Sequence, residues 1–322
     1  MLLSDLGEIK TIELIKKIIN THSLPHIPSH FVEVGIGDDA SVLKDGTIIT
    51  TDAYIEDIHF SLEYFSFYEI GQRVVCGTLS DISAMAGKPI AIFVSALLPS
   101  RLEQKQLKEL YSGMQSITNK FSCEIAGGDI VAYPKLGLIL TAIGKTKNPK
   151  LRSTAKPDEY LYITGYCGLS ETGRLVLKNK LPQKNFMQSI KRHLCPMPRI
   201  NEAIKLKKYI NALIDTSDGL STDAFHLAQE SKVKIKIFPN KIPIHPETKR
   251  YFLGNMNRML DIVLNGGEDY ELLFTSAYKN LPLKILGTKI TQIGIIEKGK
   301  GVYLAQQNKE ITLPPKGYNH FR

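Results

Sequence analysis

The sequence predicts an α/β (α+β) protein of two domains. Strand-like apolar runs alternate with amphipathic helical stripes along the whole chain. The 322 residues, 43% of them hydrophobic, suffice for two cores. A polar break at Lys145-Thr146-Lys147-Asn148-Pro149 separates two such alternations, which sets the expected domains at 1–147 and 148–322.

Composition narrows the function classes. No apolar run approaches the ~20 residues of a membrane-spanning helix, and Met1-Leu2-Leu3-Ser4-Asp5 does not lead into a signal-peptide core, so the expectation is a cytoplasmic protein without a membrane partner. Cysteines 76, 123, 167 and 195 are isolated, with no CxxC pair, which argues against a zinc site or a disulfide framework. The net charge of +9 is scattered apart from short groups such as Lys205-Leu206-Lys207-Lys208. Without a basic tail or an aromatic-interleaved basic run, it could as easily favour anionic small molecules as nucleic acid.

In chain order, Asp5-Leu6-Gly7-Glu8 has capping-box spacing, and Ile9, Ile12, Ile15, Ile18 and Ile19 form a helical stripe behind it. His22, His26 and His30 recur at four-residue spacing, but Pro25 and Pro28 oppose a regular helix, so loop histidines are expected. Gly35-Ile36-Gly37-Asp38-Asp39-Ala40 sets two mutually repelling carboxylates between small residues. That pattern fits either a solvated acidic turn or a loop that holds a hard cation beside a phosphate. The strand 47–51 delivers Asp52 at its C-terminal end, where α/β sheets tend to place ligand groups.

Residues 68–86 read as a helix with Val74, Val75, Leu79, Ile82 and Met85 inward; Asp81 within it is costly unless paired or metal-bound. A strand at 91–98 and a helix at 102–121 follow. Then Cys123–Ala126 reads as a short strand ending in a Gly127-Gly128-Asp129 turn, and 136–144 as another strand. In the second half, the strand 160–165 leads to a helix beginning around Ser170–Gly173. Lys191–Arg199 reads as a basic turn that is either plain loop or a phosphate anchor. Ile214-Asp215-Thr216-Ser217-Asp218-Gly219 repeats the carboxylate-and-small-residue pattern before a helix that Ser217 and Ser221 are placed to cap. Gly266-Gly267-Glu268-Asp269-Tyr270-Glu271 turns into a last strand. Converging aspartates of this kind suit divalent ions that bridge phosphates, and hence metal-assisted phosphoryl transfer.

Taken together, GIGDDA (35–40), Thr51-Asp52, His59-Phe60, LSDISAM (79–85), GGD (127–129), Arg152-Ser153, IDTSDGL (214–220), GGEDYEL (266–272) and Lys316-Gly317-Tyr318 occur in family order over nearly the whole chain. The set resembles the thiamine-monophosphate kinases, in the superfamily that also holds aminoimidazole ribonucleotide synthetase and selenophosphate synthetase. The resemblance implies transfer of the ATP γ-phosphate to thiamine monophosphate with several Mg2+ ions, by positioning and charge neutralisation, with no covalent or acid–base residue assigned. It implies metal ligation by Asp39, Thr50, Thr51, Asp52, Asp81, Asp129, Asp215 and Asp218. Nucleotide contacts would come from Gly128, Asp129, Arg152 and Ser217, and substrate contacts from His59, Glu268 and Tyr318. It further implies a homodimer whose N-terminal mixed sheets join. Ile130, Val131, Thr154 and Cys195 depart from the family pattern. A sister enzyme of the superfamily, or a non-catalytic binder of nucleotides or nucleic acid, is the alternative; the many acidic ligands disfavour the binder.

Overall fold

The computed structural model describes residues 2–22, 31–306, 309–318 and 320. The first half comprises α1 (Leu3–His22), β1 (Val32–Val34), β2 (Ser41–Leu43), β3 (Thr47–Ile55), α2 (Phe67–Ala84), β4 (Lys88–Leu98), α3 (Gln104–Lys120), β5 (Glu124–Ala132) and β6 (Gly137–Lys145). Its strands form one sheet in the order β1-β2-β3-β6-β4-β5, antiparallel except where β5 runs parallel to β4. The helices α2 and α3 cover one face, and strand alternation sends Ile48, Thr50 and Tyr54 beneath them. On the opposite face Thr51, Ala53, Ile90 and Phe93 are exposed.

The second half comprises β7 (Tyr160–Thr164), α4 (Leu169–Lys178), α5 (Met187–Leu194), α6 (Ile200–Leu206), β8 (Leu213–Asp215), α7 (Leu220–Ser231), β9 (Lys234–Ile237), α8 (Pro246–Tyr251), α9 (Met256–Asn265), β10 (Leu272–Ser276), β11 (Lys284–Ile285), β12 (Thr288–Glu297), β13 (Gly301–Gln306) and β14 (Lys309–Thr312). The second sheet runs β14-β13-β9-β12-β7-β10-β8, with β11 on β12. No helix among the described residues is long and apolar enough to cross a membrane.

The two halves meet on α2. Ser66 and Glu69 close its capping box. Val74, Val75, Leu79, Ile82 and Met85 are all fully buried, as the periodicity predicts. One side of the helix packs on β3 and β6, while α5, α6 and β8 of the second half press on it from the other. Because α2 is enclosed this way, any charged group on it needs a specific partner.

Several local expectations change. Gly7 is non-helical at φ 71, and the Asp5 carboxylate accepts the Leu2 N–H, so α1 is two joined pieces without the expected capping box. Its Ile12 and Ile15 are exposed. The strand carrying Asp52 continues to Ile55, which puts Asp52 inside β3. Gly127-Gly128-Asp129 likewise lies inside β5 and is no turn. A Cβ on Gly128, at φ 152, would stand 1.8 Å from the Val94 carbonyl oxygen, so glycine there permits close pairing with β4. Lys191–Leu194 closes α5, and only the residues after it form a turn. His26, His30 and the side chain of His22 lie outside the described residues.

Candidate active site

Carboxylates from three distant segments converge where α2 passes between the sheets. The loop before β2 supplies Asp39, the last turn of α2 supplies Asp81, and the end of β8 supplies Asp215; one oxygen of each lies within 4.8 Å of the others. Thr50, from the buried face of β3, donates to Asp81 Oδ2, and Ser80 donates to Asp215 Oδ2 at 2.5 Å. Arg152 binds Asp39 with both prongs, Nε to Oδ2 at 3.1 Å and Nη2 to Oδ1 at 2.6 Å. Asp38 accepts the backbone N–H of Arg152 at 3.1 Å and so holds the loop that carries this guanidinium.

The cluster carries more negative charge than Arg152 offsets. Burial, then the charges of Asp52, Asp215 and Asp39, push the Asp81 carboxyl well above its ordinary range. Burial and then Asp39 do the same to Asp215. Burial raises Asp52 against the hydrogen bond from the Tyr54 hydroxyl, which is 3.1 Å away. Burial and then Glu8 raise Asp218 to about 7. A hard divalent cation would supply the positive charge that these crowded oxygens lack and would favour their ionised form, so the donor set fits one.

A cavity of about 1010 Å3 opens beside the cluster. Asp52, Tyr54, His59, Gly77 and Asp81 wall it from the first half; Ser217, Asp218, Gly267, Glu268 and Tyr318 wall it from the second. Local folding explains the second wall. Asp223, in the first turn of α7, accepts the N–H of Gly219 at 3.0 Å and fixes the Asp218 turn. Gly219 is the N-cap, so neither Ser217 nor Ser221 caps the helix as expected; Ser221 instead donates to Asn265 at 2.7 Å. The Glu268 N–H donates to Ser217 O at 2.7 Å, and the Tyr318 N–H to Asp218 O at 3.1 Å, which lays both segments along the same turn. His59 accepts the Ile55 N–H on Nδ1 at 3.0 Å; burial, then His320, lower its pKa, so it favours the neutral ring.

The GGEDYEL stretch divides its charges. Glu268 faces the cavity and pairs with Arg73. Asp269 accepts the N–H groups of Gly168 and Ser170 at the start of α4. Glu271 is buried between Arg192 and Arg199, at 2.8 and 2.5 Å, and their charges outweigh burial to hold its pKa low. Arg192 and Arg199 of the basic stretch are therefore both committed to Glu271.

Of the predicted site residues, Asp39, Thr50, Asp81, Asp215 and Arg152 meet directly, and Asp52, Ser217, Asp218, His59, Glu268 and Tyr318 share the cavity. Thr51 borders the cavity, but its hydroxyl bonds Thr141 on the open face at 2.9 Å. Gly128 and Asp129 are apart: β6 and β4 stand between β5 and β3, and the Asp129 carboxylate bonds only the next N–H, of Ile130, among the hydrogen bonds of the described residues. The departures also find places. Ile130 and Val131 are exposed, Thr154 donates to Leu151 O and Asn211 O, and Cys195 Sγ lies 3.8 Å from Cys76 Sγ. Sequence reasoning missed Arg73, though a charge inside an apolar helix is the same signal that singled out Asp81. It also missed Tyr54, on the same strand face as Asp52, and His320, whose ring lies 5.3 Å from His59 and 4.8 Å from Tyr318.

Residues 37–146 match the family described as AIR synthase related protein, N-terminal domain. The thiamine-monophosphate kinase of Aquifex aeolicus (strain VF5) is 33% identical, with 100% of each chain covered. That of Bacillus subtilis (strain 168) is 34% identical over 90% of this chain and 94% of its own. The solved structure "AaThiL complexed with AMPPCP and TMP" superposes with a TM-score of 0.88 at 32% identity, covering 99% of both chains. On these grounds, and with its acidic cluster and cavity in place, the chain belongs to the thiamine-monophosphate kinase family.

Proposed function

We infer that this protein transfers the γ-phosphate of ATP to thiamine monophosphate and so makes thiamine diphosphate. The observation that carries the reading at the level of chemistry is the convergence of Asp39, Asp81 and Asp215 on one point beside the 1010 Å3 cavity. Those three, with Thr50, Thr51, Asp52, Asp218 and Asp129, are the residues proposed to hold several Mg2+ ions. Bound Mg2+ would neutralise charge on the phosphoryl group in flight and hold ATP and acceptor in line. The protein's own contribution is positional: Thr50 and Ser80 orient the cluster's carboxylates by hydrogen bonds, and Arg152 balances part of their charge. In the same cavity the His59 and Tyr318 side chains are proposed to contact the thiamine rings, and the Glu268 carboxylate suits the cationic thiazolium. Ser217, Gly128 and Asp129 are proposed to contact the nucleotide, with Arg152 beside them.

The proposed working unit is a homodimer. An exposed sheet face bearing Phe93, Ile90 and Val131, with Asp129 exposed on the same sheet's edge strand, supports a second copy seated there. In such an arrangement residues 1–147 form the ATP- and metal-binding and dimerisation domain, and residues 148–322 form the second α/β domain, which adds Asp215 and Asp218 to the proposed metal site. Use of ATP fits a cytoplasmic location.

Purified protein given ATP, Mg2+ and thiamine monophosphate is expected to form thiamine diphosphate, with thiamine as a control acceptor. No product above an enzyme-free control would overturn the reading.

A further inference from the structure

We propose that Arg73 is a positioning residue that sets affinity for thiamine monophosphate independently of ATP. The inference rests on the reading of His59 and Glu268 as substrate residues. Arg73 lies in the first half of α2 and is only 1% exposed, and a buried guanidinium is costly unless its donors are used. Its Nε donates to His59 O at 3.1 Å, its Nη1 donates to His193 O, and its Nη2, which makes no hydrogen bond of good geometry, forms an ion pair with Glu268 Oε1. The Phe65 ring lies 5.4 Å from the guanidinium carbon and closes the remaining side. One planar fork thus ties the loop after β3, the end of α5 and the 266–271 turn together across the junction of the two halves.

The turn needs that tie. Glu268 and Tyr270 adopt left-handed backbone conformations, φ 64 and φ 47, which non-glycine residues hold only where surrounding contacts impose them. A Cβ on Gly267 would stand 2.6 Å from Ser217 O, so the turn is pressed against the Ser217–Asp218 segment. Between that seat and Arg73, Glu268 is fixed in the cavity wall with its side chain 29% exposed. None of the hydrogen bonds or ion pairs of Arg73 among the described residues reaches Asp39, Asp81 or Asp215. Its effect therefore falls on the proposed acceptor contacts, His59 and Glu268. Lysine would keep the charge but not the rigid fork.

The test is steady-state kinetics on both substrates for Arg73→Lys, Arg73→Met and Glu268→Gln, with thermal melting to establish folding. Arg73→Lys is expected to raise KM for thiamine monophosphate about tenfold and Arg73→Met about a hundredfold, with KM for ATP within about twofold of wild type. Folded Arg73→Lys protein with an unchanged KM for thiamine monophosphate, or with both KM values raised in parallel, would overturn the proposal. If Arg73→Met does not fold, Arg73→Lys alone decides. Glu268→Gln separates the two levels. An unchanged KM in that variant removes the substrate-site reading itself, whereas a raised KM there beside a wild-type KM in Arg73→Lys leaves the site standing and rejects the role of Arg73.

Discussion

The acidic cluster and the β5 edge come from similar sequence, an apolar run with small residues and an aspartate, yet they end in opposite environments. Asp215 is carried by a buried strand onto the enclosed flank of α2, where Asp39 and Asp81 already lie, and the three share one cation-sized space. Asp129 stands on the outermost strand of the first sheet, exposed, in register with Ser95, which pairs with Ile139, which pairs with Ala53. Three strand spacings, ~14 Å, separate it from β3. The difference teaches that a carboxylate's function is set by what covers its strand. Within one chain α2 and the second sheet complete the cluster, while among the described residues the β5 strand ends its sheet unpaired on one side.

The largest expected effect tests the cluster side of this contrast. Asp81→Ala and Asp52→Ala should each lower kcat by about a thousandfold or more without unfolding the protein, because each removes a carboxylate from the crowded site; wild-type-like rates in both would remove the metal-ligand assignment. Next comes the edge. Asp129→Ala should be inactive alone, yet an equal mixture of Asp81→Ala and Asp129→Ala proteins, unfolded and refolded together, should regain about a quarter of wild-type activity, since half the dimers are mixed and each holds one intact site. No recovery from a demonstrably mixed dimer would mean that Asp129 serves its own subunit or none.

A smaller effect separates the regions by stability. Mg2+ at ~100 times its dissociation constant should stabilise the wild type by about 2.7 kcal/mol and raise its Tm, and Asp129→Ala should keep most of that gain while Asp81→Ala loses it. A last effect is on pH. Burial raises Asp218 to about 7, so between pH ~4 and ~7 the folded, metal-free chain holds a proton that the unfolded chain has released. Stability should therefore fall as pH rises through that window, and a melting series in which Asp218→Asn shows the same slope as wild type would reject this origin.

Much of this was legible in the residues. The stripe Val74, Val75, Leu79, Ile82, Met85 foretold the buried face of α2, because helical period alone decides which side chains share a face. Asp81 stood out as a charge on that face, and the cluster explains it. The strands of both halves were visible as apolar runs, but their ends were not. Asp52 and Asp129 were read at strand ends, and both lie within strands, because sheet pairing with β6 and β4 extends the ladder beyond the apolar run. No side chain takes the capping role assigned to Ser217, since the helix starts only after Gly219; the Asp223 carboxylate, one turn on, instead accepts the N–H of Gly219.

By itself, then, the sequence determined the alternation of elements, the inward face of α2, and the residue types available for phosphate–metal chemistry, all of which depend on local period and side-chain identity. Only the tertiary structure decided that Asp39, Asp81 and Asp215 converge while Asp129 stays apart, that Arg192 and Arg199 close on Glu271, and that Arg73 reaches Glu268. Those are contacts between segments up to about two hundred residues apart in the chain, and they depend on how sheets and helices pack rather than on any spacing along the backbone.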